Sequence, residues 1–201
     1  MATTPDLTTQ YLALARYNTW MNQRLYDLAA SLSDEERKRN VGAFFKSIHG
    51  TLNHLLLTDR MQLGRFIGAE RTRSLDENGR VIEIRSLDQE LYADVAILRR
   101  EREHTDAMIE SWAAEITPEF LARTMEYDAM SQPGRYRVPM WAAVTHLFNH
   151  QAHHRGQITT ILNQLGRDVG ITDFMGMLRE KDSVNMAASS SERDSDTEIK
   201  G

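Results

Sequence analysis

The segment from about 139 to 165 repeats its apolar residues at helical intervals. Val144, Leu147, Ile158, Ile161, Leu162 and Leu165 share one side, and Gly166 closes the run. A narrow apolar stripe on so long a helix must be buried against other helices, because nothing in the segment covers it. Three further segments supply partners. The first, about Leu7 to Leu32, places Tyr11, Ala15, Leu25, Leu28 and Leu32 on one side. The second, about 43 to 67, carries Phe45, Ile48, Leu52, Leu55, Leu56, Leu63 and Phe66. The third, about 87 to 115, has Ser86 as its candidate N-cap and a charged middle, RREREH, that reads as a solvated face.

The connections are legible too. Ser33 and Glu36 have the spacing of a capping box for a short helix. Residues 68 to 85, with glycine and many charges, form a connection packed across the other elements. Thr117-Pro118-Glu119 opens another short helix with proline at its first position. RTMEY and QPGRYRVP flank a Pro-Gly turn, which predicts a loop or small hairpin before the last long helix. A short helical piece is expected over 172 to 180. The fold expected is all-α, a four-helix bundle whose long connections allow a crossover. One domain spans 1–182, and the small, polar, aromatic-free stretch 183–201 is expected to be disordered.

Composition removes several functions. The net charge of −5, without a basic block, lacks the footprint of a nucleic-acid binder. No apolar run reaches the ~18 residues of a membrane span. The opening MATTPDLTTQ lacks a basic and apolar leader, so a cytoplasmic location is expected. There is no cysteine, which removes disulfides, thiolate nucleophiles and cysteine zinc sites.

The chemistry concentrates in histidine. HLFNHQAHHRGQ, residues 146–157, holds four of the seven in the chain. Relative to the apolar stripe, His154 lies about 50° and His150 about 90° away, whereas His146 and His153 lie about 130° and 150° away. His150 and His154 thus border the core one turn apart, and imidazoles at i and i+4 can share a metal. His146 and His153 face away and are available to a dimer interface. A third ligand must come from another helix. His104 sits in the charged run, leaving His49 and His54, about 140° apart on the second helix and unable to serve one metal together. The stripe favours His49, at about 70° against about 150° for His54. The run Leu55-Leu56-Leu57 gives that helix a second apolar face beside His54, so the arithmetic leaves both open.

At this point the sequence resembles the DinB-like proteins, damage-inducible four-helix-bundle metalloproteins. NHQAHHRGQITTILNQLG matches the family pattern N-H-x-x-x-H-R-G-Q on Asn149, His150, His154, Arg155, Gly156 and Gln157. AFFKSIHGTLNHLLLTDRMQLGRF resembles the family's second helix, and ARYNTWMNQRLYDLAASL its first. The resemblance runs over roughly 8 to 180. It implies a divalent metal on His54, His150 and His154, and it implies a homodimer; all-nitrogen ligation suits zinc, nickel, copper or iron, with zinc or nickel expected. One departure concerns Gln62, where close relatives usually carry tryptophan.

Three imidazoles leave a four-coordinate metal open to substrate. A zincin mechanism needs glutamate next to the first histidine, where this chain has Gln151. The resemblance implies instead a metal-dependent S-transferase that uses a low-molecular-weight thiol and an electrophile. The alternatives are a small hydrolase using metal-bound hydroxide and a non-catalytic metal-binding stress protein. No catalytic side chain is identified. Asp59, Arg155 and Gln157 are candidates for orienting the metal histidines or holding substrate. Asp59 can instead be an ordinary ion-pair partner, and for Arg155 pairing with a neighbouring carboxylate is the preferred reading.

Overall fold

The computed structural model describes residues 6–180. The expected tail at 183–201 lies outside them. The chain divides into two compact units, 1–168 and 169–201. In the second, residues 174–180 are helical.

The first unit holds four long helices: α1 (Leu7–Ala30), α3 (Ile48–Ile67), α4 (Val95–Ala114) and α6 (Met140–Gln164). Two short helices, α2 (Asp34–Lys38) and α5 (Pro118–Leu121), and a hairpin of β1 (Thr124–Asp128) and β2 (Arg135–Pro139) join them. Helices α1 and α3 each touch both α4 and α6, so the four close on a common interior. None of the helices is long and apolar enough to cross a membrane among the described residues.

Each boundary has a local cause. Asp6 caps α1 by accepting from the amides of Thr8 and Thr9, both at 3.0 Å. Ser33 and Glu36 form the expected capping box. Thr117 caps α5 ahead of Pro118. Helix α6 ends where Gly166 turns left-handed, at φ 71°, and the Arg167 amide reaches back to the Leu162 carbonyl at 2.9 Å. In the hairpin, Met125 faces Val138 and Tyr127 faces Tyr136.

Two starts differ from expectation. Helix α3 begins at Ile48, capped by Ser47, and not at 43. Before it, Lys46 takes a left-handed φ of 66°, which turns the chain and takes Phe45 out of the helix. Helix α4 begins at Val95 with Asp94 as its cap, not at 87 with Ser86. Residues 87–94 instead form an irregular run of turns and bends against α3. Asn53 holds them, its Oδ1 accepting from the amides of Leu91 (2.8 Å) and Tyr92 (3.0 Å). Helical periodicity there loses to these buried side-chain bonds.

A polar thread crosses the apolar interior. Arg102 of α4 pairs with Asp59 of α3 through Nη1, and with Asp106 through Nη2 at 2.8 Å. Asp106 accepts from Asn18 (2.9 Å) and Asn22 (3.0 Å) of α1. The Asn18 Oδ1 accepts in turn from Arg155 of α6. All six side chains are buried, and the two arginines balance the two aspartates. One connected set of bonds therefore fixes the rotation of all four long helices.

Candidate metal centre

The left-handed turn at Lys46 folds Phe45 back onto α3, where its ring stacks on His54 with centroids 3.6 Å apart. This close approach depends on Gly50. A Cβ there would stand 2.2 Å from the Phe45 carbonyl oxygen, which is backbone and cannot rotate away. Gly50→Ala is therefore expected to displace the 43–46 turn, lowering stability by about 1–3 kcal/mol in urea titrations. It is also expected to weaken metal binding, because Phe45 packs edge-on against His154 as well.

His54, in the second turn of α3, faces His150 and His154 on α6. One ring nitrogen from each of the three lies within 4.8 Å of the others. Hydrogen bonds select which nitrogen is free. His54 Nδ1 donates to the Leu87 carbonyl at 2.8 Å, so Nε2 keeps its lone pair. His154 Nδ1 donates to Oε1 of Gln157 at 2.8 Å, with the same result. The Nε2 atoms of His54 and His150 stand 3.3 Å apart. Two ligands at ordinary metal–nitrogen distances and tetrahedral angles are separated by about 3.3–3.4 Å. The donor set thus fits a metal ion.

The electrostatics agree. Burial lowers the imidazole pKa of His54 to about 4 and of His150 to about 3, and it lowers that of His154. All three are neutral at pH 7 and hold their lone pairs for a cation. The lowered values tie stability to pH. Between pH 6.5 and about 4 an unfolded chain protonates His54 and His150 and the folded chain does not. Their contribution is therefore fully present above pH 6.5 and lost as pH falls. The metal-free protein and a metal-free His54→Gln variant test this. From pH 6.5 to 5, the stability difference is expected to move about 1–2 kcal/mol toward the variant, read from urea midpoints at both pH values.

The other histidines take different places. His49 is fully buried, and its Nε2 meets the Tyr92 carbonyl at 3.0 Å, on a different side of α3 from His54. The stripe arithmetic that favours His49 fails because α3 is buried nearly all round, including Asn53, Thr58, Asp59 and Arg60. His146, expected to face away, stands beside His150 on the wall of a cavity, with ring centroids 5.6 Å apart. His153 is exposed.

Of the three candidate supporting residues, Gln157 touches a cluster histidine. Asp59 and Arg155 do not; both belong to the interior thread. Burial pushes the Asp59 carboxyl up toward 7 against the pull of Arg102. Arg155 lies over the Tyr17 ring, 4.9 Å from its centroid, and burial lowers its pKa to about 10.

The cavity has a volume of about 500 Å³. His54 and His150 line it, with Gln62 beside them and an apolar wall from the hairpin, including Met125, Tyr127 and Val138. The Leu87 carbonyl, Phe45 and this cavity escaped the sequence reading. Only Phe45 left a signal there, as an aromatic pair with Phe44 five residues ahead of Gly50.

Comparison with known proteins gives a consistent result. A family model described as the DinB family matches residues 7–185. Protein DinB of Bacillus subtilis (strain 168) is 22% identical over 173 residues, covering 80% of this chain and 89% of that protein. No solved structure matches the chain.

Proposed function

The chain belongs to the DinB family, and from that premise we propose that it is a metal-dependent S-transferase built on a four-helix bundle. His54, His150 and His154 would hold one divalent ion, zinc or nickel, through three neutral imidazoles. Such an ion leaves a position for a thiol sulfur and supplies the positive charge that keeps a thiol deprotonated at neutral pH.

The observation that carries this reading is the union of two features. Three free imidazole nitrogens converge, and two of their rings form part of the wall of a 500 Å³ cavity. A structural zinc site is normally closed by four protein ligands. Here a fourth histidine, cysteine or carboxylate is missing from the group among the described residues.

The residues divide the work. Leu87 and Gln157 set the ring tautomers, which lowers the reorganisation needed on binding. Phe45 covers one side of His54 and keeps water off it. The cavity positions an apolar electrophile near the histidines, and holding two reactants together is itself a large part of the rate.

The test is thiol consumption by the zinc- or nickel-loaded protein, with glutathione-like and bacillithiol-like donors and a panel of alkyl and aryl electrophiles. Turnover above the background rate, abolished by His54→Ala, is expected. A fully loaded protein that consumes no thiol with any pair refutes the transferase reading.

A further inference from the structure

Four side chains of α3, His54, Thr58, Met61 and Arg65, recur on one face and line the same cavity. From His54 to Arg65 the helix rises about 16 Å. The cavity is thus a trough with imidazoles at one end and a guanidinium at the other. Arg65 is half-buried, lying 4.4 Å from the Tyr127 ring centroid and donating a long bond of 3.4 Å to the Asp128 carbonyl. Both partners are neutral. No carboxylate of the described residues pairs with Arg65 within 4 Å. A partly desolvated cation with a ring and a carbonyl beside it is costly, and an anion in the trough would relieve that cost. The rest of the lining is mostly apolar, including Met61, Phe66, Met125 and Val138, with Thr58 and Gln62 among its polar members.

We propose that this trough binds an elongated apolar monocarboxylic acid, its carboxylate on Arg65 and its other end beside His54 and His150. A single guanidinium matches one negative charge and a planar carboxylate. A phosphate dianion would need further cations, and Arg65 is the only Lys or Arg side chain in this lining. The apolar part of the wall, Met61, Phe66, Met125 and Val138, favours a hydrocarbon chain over a peptide backbone, whose amides would lose hydrogen bonds against it. After both side chains take up their share, the distance left is roughly 10 Å, a medium-length chain. The volume lies within the range of small-molecule sites. As the identity of the electrophile, this assignment rests on the transferase reading. As a binding site it does not.

The test is calorimetric titration of the zinc-loaded full chain with hexanoate, decanoate and 1-decanol. Decanoate should bind one per chain and more tightly than hexanoate. Arg65→Gln should weaken decanoate about ten- to hundredfold and leave 1-decanol unchanged, and Arg65→Lys should recover part of the loss. Ala142→Trp, which fills the trough, should block both ligands. Removing zinc should leave decanoate binding in place, since the carboxylate sits on Arg65. The proposal fails if wild type binds no decanoate. It fails too if Arg65→Gln binds decanoate normally, or if binding needs the metal and not Arg65. Thiol turnover without decanoate binding overturns this proposal alone. Decanoate binding without thiol turnover overturns the transferase reading alone.

Discussion

Replacing His54 or His150 with alanine is expected to empty the metal centre, whereas His49→Ala leaves it filled. Each cluster histidine offers one free nitrogen to the same point. Removing one leaves two ligands, and two imidazoles seldom hold a divalent ion against buffer. Affinity should fall by more than about 100-fold, beyond the 10- to 100-fold that loss of an orienting partner costs. Gln157→Leu should fall within that smaller range, because it removes only the acceptor for His154 Nδ1. His49→Ala acts elsewhere, opening a hole between α3 and the 87–94 segment. It should lower the melting temperature at full metal content. Elemental analysis of the purified variants, with competition against a zinc chelator, reads all four. Metal lost from His49→Ala and kept by His54→Ala would move the site to the other side of α3.

The second large effect is expected in the interior shared by the four long helices. Arg102→Ala strands the carboxylates of Asp59 and Asp106, both buried and both facing that guanidinium. Breaking a buried ion pair from one side costs about 3–5 kcal/mol. For a unit of this size that is a fall of roughly 6–20 °C in melting temperature. Adding Asp59→Asn and Asp106→Asn should return part of it, since neutral amides tolerate the lost charge. Calorimetric melting of the single and triple variants checks this. A drop under 1 kcal/mol for Arg102→Ala would mean water replaces the guanidinium freely.

These two regions also mark how far the sequence could be read. The pair His150 and His154 was legible because α6 has one apolar stripe and one exposed side, so a period of 3.6 carries information. His54 was not legible by period, because α3 is enclosed on every side and its polar residues are buried. Family resemblance, not arithmetic, pointed to it. Asp59 and Arg155 sit close in sequence to cluster histidines, which suggested roles at the metal. On a helix, however, adjacent residues point about 100° apart, and both face the interior thread. The segment 87–94 has a helical composition but forms turns and bends. Its backbone groups are claimed by His49, Asn53 and His54, contacts between residues some 30 to 40 positions apart that no local pattern reports.

The hairpin of β1 and β2 forms one wall of the trough, yet it supplies no histidine to the cluster and no member of the polar thread. What would hold an ion and what shapes this wall of the cavity are therefore separate parts of the chain. Insertions or substitutions between Thr124 and Pro139 can change the size and polarity of the cavity while the histidine cluster and the four long helices stay as they are. A scaffold divided in this way can change clientele by exchanging one short ribbon.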